Sequence, residues 1–328
     1  MSEVSALYPA LAERDRPTVE QSVRAFRTAH GDDELFVAVA RFAVLAYAPA
    51  QHAKHALMAC LAAHDVRTRV GERFGDLLLE CAWYAASSRQ PWSEPPILDP
   101  PPTRDDEASD LGALRKAIAD GDRLAGERWL AARIADPGLA RDLFAAACDD
   151  FEDLGHKLIV AVHAWRLAEL LGEKGRYAAL RTAVWEMTAY RGALHSEEAE
   201  ADTEQLLSRI IDVIVSEEGS IIAAHRLFLL DAAMEAVRIA EDPGILRRVS
   251  AHLVSNLTED GAPIARHQGG DDAISVYVLG RDCAEFLKMH AAAARLGARF
   301  PGVDVTRAVA AASYNLQNAP SLEDWSFA

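Results

Sequence analysis

The amino-acid sequence predicts an all-α protein, a multi-helix bundle built from repeated His-bearing helix pairs. Half of the 328 residues are hydrophobic, and most of these are Ala, Leu or Val. Gly and Pro gather at a few points along the chain. This composition favours helix over strand. Between those points apolar residues recur with a helical period. A segment of about 30 residues also repeats along the chain, which is typical of helical repeat architectures.

The N-terminal part is expected to form four helices. The first begins near Pro17 and runs to His30, where Gly31 ends it before a strongly apolar second helix. Pro49 forces a break before the third helix. That third helix carries three histidines: His52, His55 and His64. The fourth is expected to span residues 71–88.

A proline-rich segment separates this part from the rest of the chain. Residues 90–106 contain successive prolines, which lack a backbone donor and keep their predecessors extended. We therefore predict an N-terminal helical part over residues 1–89, a linker over 90–106 and a C-terminal helical part over 107–328. The two helical parts are expected to pack together as one body.

The repeat becomes visible when His55 is aligned with His156 without a gap. Leu, Ala, Gly and Glu positions then match through a helix, a turn and a second helix. Starting again at His225 reproduces the pattern, and a weaker fourth copy begins at His290. If each copy places its leading histidine at the same point of an inward-facing helix, the four imidazoles converge inside a bundle, as metal ligands do in helical bundles. Iron or another transition metal suits such a set.

Other residues extend this candidate site. His52 precedes His55 by three residues, and Asp153 precedes His156 by three, a spacing that puts both members on one helical face. His163 follows His156 by two turns. We therefore predict His55, His156, His225, His290 and His52 as metal ligands, His156, Asp153 and His163 as catalytic residues, and Trp165 and Trp185 as the wall of an apolar substrate pocket. The alternative is that each histidine is a hydrogen-bonded core residue.

An acidic run, residues 149–153, immediately precedes His156. Such acids can act as general bases, but they also gather at helix N-termini, where exposed amides and the helix dipole favour negative charge. Capping of the following helix is the preferred interpretation.

Charge and cysteine usage limit the partners. The net charge of −16 disfavours binding to nucleic acid or to an anionic membrane. The four cysteines are far apart and show no disulfide or metal spacing, and no signal peptide or apolar span is evident. A cytoplasmic protein is expected.

Motifs for nucleotide binding, zinc proteases and serine hydrolases are absent from the sequence.

The sequence around His156 resembles a known family. The similarity rests on residues 150–159, DFEDLGHKLI, followed by 167–172, LAELLG, and covers about residues 110–195. These segments resemble the core of bacterial helical proteins that are sometimes fused to Rieske ferredoxin domains and are similar to the questin oxidase-like family. The resemblance implies oxidation of a hydrophobic, often aromatic, small molecule, with His156 as a functional residue.

Two functions follow as hypotheses. The first is an oxygenase or oxidase acting on a hydrophobic small molecule, either with a metal or without a cofactor. In the cofactor-free version of this hypothesis, His156 acts as general base toward an acidic phenol. Because the Rieske ligand pairs CxH and CxxH are missing, electrons would come from a separate electron-transfer protein or from the substrate. The alternative is a non-catalytic helical scaffold that binds a protein partner or an apolar ligand.

Overall fold

The computed structural model describes residues 7–47, 53–88, 101, 110–190, 192, 194, 197–217, 221–257 and 283–318, and most of these residues lie in helices. No strand occurs among these residues, so the all-α prediction is confirmed. The helices are α1 (Tyr8–Glu13), α2 (Arg16–His30), α3 (Asp32–Leu45), α4 (Ala53–Val70), α5 (Phe74–Ser88), α6 (Leu111–Asp120), α7 (Arg123–Arg133), α8 (Leu139–Ala147), α9 (His156–Leu171), α10 (Glu173–Ala189), α11 (Thr203–Ser216), α12 (Ile221–Ala240), α13 (Gly244–Asn256), α14 (Cys283–Arg299) and α15 (Thr306–Asn318).

Local sequence signals account for several helix ends. The side chain of Asp15 accepts the backbone N–H of Thr18 and caps α2, whose first turn contains Pro17. Gly31, with φ of +91°, ends α2 and begins α3 without a longer loop. A short 3₁₀ turn at Gly71–Arg73 separates α4 from α5. The predicted boundaries of these helices therefore lie close to the observed ones, but the described N-terminal part has five helices instead of the expected four, because α1 (Tyr8–Glu13) precedes the helix predicted as the first.

Four helices form a closed central ring. α4 packs against α9, α9 against α12, α12 against α14, and α14 against α4. Each of these four is followed by a helix that packs on it from outside: α5 on α4, α10 on α9, α13 on α12 and α15 on α14. These inner helices are the leading helices of the four proposed repeat copies. That the pairs are true internal repeats remains a prediction.

The inner helices are parallel to one another. His55, His156 and His225 meet in space, as described below, and all three lie within the first two turns of α4, α9 and α12. Lys288, in the second turn of α14, contacts His55. Helices that contribute their first turns to one shared location must begin at the same end of the ring. The positive ends of four helix dipoles therefore point toward this location.

A layer of ion pairs joins the second halves of the same helices. Arg166 on α9 binds Asp65 on α4 with nitrogen–oxygen distances of 2.7 and 3.0 Å. Arg295 on α14 binds Asp65 and also Asp231 on α12. Asp65 and Arg166 each lie ten residues after the histidine of their helix, which is about 15 Å along a helix axis. Polar contacts therefore connect the inner helices at two levels along the ring axis: at the end where the helices begin, and at this layer of ion pairs, which we call the second level.

Helices from both sides of the predicted linker contact each other directly. α4 packs on α9 and α14, and α3 packs on α10. Of the linker predicted at residues 90–106, only residue 101 belongs to the described part of the chain, so that prediction remains open. Among the described helices, none is both long enough and apolar enough to cross a membrane.

Candidate acid–base centre

Three predicted histidines converge at the N-terminal end of the inner ring. The Nε2 atoms of His156 and His225 are 3.2 Å apart, a hydrogen-bond distance. The ring of His55 lies 5.2 Å from that of His156 and 6.4 Å from that of His225, measured between centroids. All three side chains are buried. The structure therefore brings His55, His156 and His225 into one cluster, which we call the histidine cluster.

A left-handed turn holds His156 in position. Asp153, Leu154 and Gly155 have φ angles of +53°, +60° and +80°, and α9 begins directly after them. For Asp153 and Leu154 this conformation costs on the order of 1 kcal/mol or more each, and such strain is typical of functional sites. The turn places the backbone carbonyl oxygen of Asp153 2.5 Å from Nδ1 of His156.

These contacts assign the tautomers of the cluster. Nδ1 of His156 faces a carbonyl oxygen, so it carries the proton and Nε2 presents a lone pair. The Nε2–H group of His225 is then the donor to Nε2 of His156. The Lys288 ammonium lies 3.1 Å from Nδ1 of His55 and donates to it, which places the proton of His55 on Nε2. In this assignment, Nε2 of His156 is the hydrogen-bond acceptor at the contact with His225.

A buried lysine connects the histidine cluster to two carboxylates. Lys54, the neighbour of His55, pairs with the Asp153 carboxylate and lies 3.4 Å from Glu186 on α10. The Tyr47 hydroxyl donates to Glu186 over 2.5 Å, and the ring of Tyr190 lies 4.9 Å from the Lys54 ammonium. The Asp153 carboxylate is also 3.4 Å from Nδ1 of His156. Acidic, basic and phenolic groups thus form one network, in which Lys54, Glu186 and Tyr47 are buried and Asp153 is partly exposed.

Burial shifts the proton affinities of this network. Burial raises the pKa of Glu186 to about 7, an effect that Lys54 and Tyr47 reduce only in part. Burial would lower the pKa of Lys54, but Glu186 and Asp153 raise it above its ordinary value. Burial, followed by the neighbouring His225 ring and the Lys54 ammonium, holds the pKa of His156 well below its usual range. Near neutral pH, therefore, Lys54 is charged, His156 is neutral and Glu186 exchanges a proton. Perturbed groups of this kind concentrate at active sites.

Glu186 should make the stability of the protein depend on pH. Because its pKa rises from 4.5 to about 7 on folding, the native state binds this proton more tightly than the unfolded state. The stabilisation is complete below pH 4.5 and is lost as the pH rises through 7, by about 3 kcal/mol in total. We expect the Glu186→Gln variant to lack this loss in urea titrations across that range. Glu173→Gln, an exposed site on the same helix, should retain it, and identical pH profiles for wild type and Glu186→Gln would contradict the assignment.

Lys288 takes the place at the cluster that the fourth repeat copy assigned to histidine. Its buried ammonium contacts His55 and lies 4.9 Å from the ring of Phe228. His290 is also buried, two residues further along α14. Positions two apart are separated by about 200° around a helix, so His290 points to a different side of α14 from Lys288. The role of His290 remains a prediction, and His52 lies outside the described residues.

The predicted metal site is not supported. Within the described part of the chain, no group of three or more His, Cys, Asp or Glu side chains is arranged to hold a metal ion. For His55 to offer Nε2, its Nδ1 would need a proton that faces the Lys288 ammonium. Two buried ammonium groups beside the cluster also oppose a cation.

The remaining predicted site residues have other neighbours. Nδ1 of His163 lies 2.7 Å from the carbonyl oxygen of Ile159, and burial lowers its pKa to about 3, so this ring is neutral. The Trp165 ring packs edge-on against Phe144, and its N–H donates to Glu169. The Trp185 N–H donates to Glu127, and its ring lies between the guanidinium groups of Arg123 and Arg181. The described contacts of both indoles include charged groups, in contrast to the expected apolar pocket.

The capping interpretation of the acidic run was wrong. Gly155 is the N-cap of α9, and no side chain caps that helix. The acids form ion pairs instead: Asp149 binds Arg115, Asp150 binds the buried Lys157 over 2.5 Å, and Asp153 binds Lys54. The side chains of the run therefore neutralise neighbouring cations, and none of them forms a cap hydrogen bond at the start of α9.

The sequence analysis missed the lysines and Glu186. A signal for the lysines was present, since the chain has only five of them. Three of the five lie within two residues of a repeat histidine, namely Lys54, Lys157 and Lys288. Glu186 had no comparable signal, because it lies in a helix that follows the motif and approaches the cluster only through packing of α10 on α9.

Comparisons of the whole chain leave its family open. No protein-family model matches the sequence, and neither the curated proteins nor the solved structures provide a match. The geometry of the described residues therefore carries the functional argument. It defines the class as an all-α protein with a buried cluster of imidazole, ammonium and carboxyl groups at one end of a parallel helical ring.

Proposed function

We propose that the protein is an enzyme that oxidises a small aromatic substrate with O₂, and that the histidine cluster removes a proton from an acidic O–H group of that substrate. The observation that carries the proposal is the 3.2 Å contact between Nε2 of His156 and Nε2 of His225. Two buried imidazoles in direct contact, with one of them held by a strained turn, form a preorganised proton acceptor.

The proposed base is Nε2 of His156. A substrate hydroxyl would replace His225 as the donor to this atom and transfer its proton to it. The resulting imidazolium keeps Nδ1–H on the Asp153 carbonyl, and the Asp153 carboxylate at 3.4 Å offsets its charge. The N–H groups of His225 and His55 then stabilise the substrate oxyanion.

The oxidation itself needs no group beyond substrate and O₂ in the cofactor-free version. For a hydroquinone, the ring loses two electrons and two protons and becomes a quinone, while O₂ accepts both and becomes H₂O₂. In an oxygenase version, the deprotonated substrate donates electrons to O₂ and both oxygen atoms enter the product. Both reactions proceed without a metal, which agrees with the poor fit of the histidine cluster to a metal ion.

Oxygen uptake tests the proposal. Purified protein is given polyhydroxylated benzenes, naphthalenes and anthraquinones in an oxygen electrode, with H₂O₂ measured in parallel. We expect uptake with at least one substrate and a loss of about 100-fold or more in kcat for His156→Gln, because general base catalysis contributes that much. His30→Gln on α2 is the control and should leave the rate unchanged.

The outcomes separate the enzyme from the scaffold hypothesis. A scaffold predicts no uptake above that of a protein-free solution, and equal behaviour of the wild type and His156→Gln. Uptake that persists in His156→Gln would contradict the assignment of the base. A rate that rises in proportion to added iron, with about one equivalent of iron bound, would favour the metal version instead.

A further inference from the structure

One carboxylate oxygen lies between the Lys54 ammonium and the ring of His156. Oδ2 of Asp153 pairs with the ammonium, and the same oxygen is 3.4 Å from Nδ1 of His156. The proton on Nδ1 is directed at the backbone carbonyl oxygen of Asp153, 2.5 Å away. The ammonium and the imidazole N–H therefore compete for Oδ2, and a group that attracts the ammonium elsewhere strengthens the contact between this oxygen and the imidazole.

Glu186 is a second partner of the Lys54 ammonium. Its Oε1 atom lies 3.4 Å from Nζ of Lys54, and its Oε2 atom accepts the Tyr47 hydroxyl over 2.5 Å. The Glu186 side chain is completely buried, so water screens its charge poorly. A carboxylate at this position attracts the ammonium away from Asp153, whereas a neutral carboxylic acid leaves the ammonium on Asp153.

The titratable groups that face Glu186 come from several elements. They are Tyr47 after α3, Lys54 on α4, Asp153 before α9 and Tyr190 after α10. Other charged residues on the described helices packed against α10 form pairs elsewhere, and these include Arg115 and Lys116 on α6, Arg123 and Glu127 on α7, and Lys157 on α9. The charge of Glu186 therefore acts first on Lys54, and through Lys54 on Asp153.

We propose that Glu186 is a positioning residue whose charge, acting through Lys54 and Asp153, sets the strength of His156 as a base. The inference rests on the proposed function and names the regulation of that site. Ionised Glu186 draws the ammonium toward itself, so Oδ2 of Asp153 can accept the Nδ1–H group and stabilise the imidazolium. Protonated Glu186 leaves Oδ2 bound to Lys54, and His156 is then the weaker base.

The direction of the pH dependence follows from the proton on Glu186. Burial raises the pKa of this carboxyl group to about 7, so it ionises around neutral pH. His156 is therefore the weaker base below this pH and the stronger base above it. The coupling is reciprocal, so a proton on His156 also favours ionisation of Glu186. The Tyr47 hydroxyl lowers the pKa of Glu186, and its removal should move the transition to higher pH.

Nitrogen NMR of the free protein tests this coupling without turnover. The histidine rings are isotope-labelled, and the His156 signal is the one that is missing in His156→Gln. We expect the Nδ1 shift of His156 to change in one step with a midpoint of about 7 in the wild type. Glu186→Gln, which resembles the protonated form, should remove the step, and Tyr47→Phe should move it to higher pH. Glu173→Gln, exposed on α10, is the matched control and should retain the wild-type step.

Kinetics extend the test to the reaction. Well below the Glu186 pKa of about 7, the wild type and Glu186→Gln should have equal kcat for oxygen uptake, because both side chains are then neutral. Well above it, the wild type should be faster by about threefold, since a base stronger by about one pKa unit gains part of that factor in proton transfer. A merely structural role of Glu186 would give the same ratio of rates at every pH.

The NMR outcomes and the kinetic outcomes separate this inference from the proposed function. A wild-type His156 signal without the step would overturn the inference, and so would a step that persists in Glu186→Gln. If Glu186→Gln fails to fold, a step that does not move in Tyr47→Phe has the same meaning. The expected steps without oxygen uptake by any phenol would support the coupling and count against the proposed oxidation. Oxygen uptake with a flat His156 signal would have the reverse meaning.

Discussion

Replacing Lys54 with methionine is expected to lower the free energy of unfolding by about 3 kcal/mol above pH 7. Lys54 is the shared partner of Asp153 and Glu186, and both the lysine and Glu186 are buried. Methionine fills a similar volume but leaves two carboxylates without an ammonium group. Removal of one member of a buried ion pair typically costs about 3–5 kcal/mol.

The loss in free energy of unfolding caused by Lys54→Met should also depend on pH, which makes the prediction more specific. Below pH 7, Glu186 binds a proton, so the missing ammonium matters less and the loss should shrink. The double variant Lys54→Met with Glu186→Gln should recover much of the stability, because the most buried uncompensated charge is then absent. Lys174→Met, exposed on α10, is the control. Urea titrations that show the same small loss at every pH would disprove the assigned network.

Replacing Arg295 with methionine is expected to cost about 3 kcal/mol at neutral pH. Its guanidinium binds Asp231 at 2.5 and 3.0 Å and also pairs with Asp65. Burial raises the pKa of Asp231 even with Arg295 present, so without the arginine this carboxyl group must be protonated or remain as an isolated charge. A quarter of the Arg295 side chain is exposed, which places the expected cost at the lower end of the range for buried pairs.

Two further variants make the Arg295 prediction specific. Arg299→Met, at an exposed site one turn further along α14, should leave the stability unchanged. Arg295→Met combined with Asp231→Leu should approach the wild-type stability, since apolar replacements of a buried pair are often neutral. Because this level lies about 15 Å from the histidine cluster, folded Arg295 variants should retain the proposed oxygen uptake. Loss of that activity in a folded variant would show that the two levels are coupled.

The two levels of polar contacts explain how an Ala-rich helical ring acquires a defined arrangement. Apolar helix faces can slide or rotate past each other at small cost, whereas ion pairs fix the register of neighbouring helices. Arg166, Arg295, Asp65 and Asp231 each join two or more of the inner helices. We infer that this level holds the N-terminal ends in the positions that bring the histidines together.

The sequence by itself determined the helical class and several helix boundaries, and it predicted that three of the histidines lie close together. Pro17, Gly31 and the periodic apolar residues act over a few positions, so their effect is readable without a fold. The alignment of His55, His156 and His225 indicated a shared environment because repeated local patterns tend to occupy equivalent places. These residues do meet in the structure.

The chemistry of the centre was decided only by the tertiary structure. Lys54, Lys288 and Glu186 come together through helices that are distant in sequence, and no group of three or more described His, Cys, Asp or Glu side chains is arranged to hold the expected metal. The turn at Asp153 adopts left-handed angles at two non-glycine residues, against their local preference. The physical reason is the same in each case: proton affinity, tautomer and strain depend on which groups are buried together, and that depends on how distant helices pack.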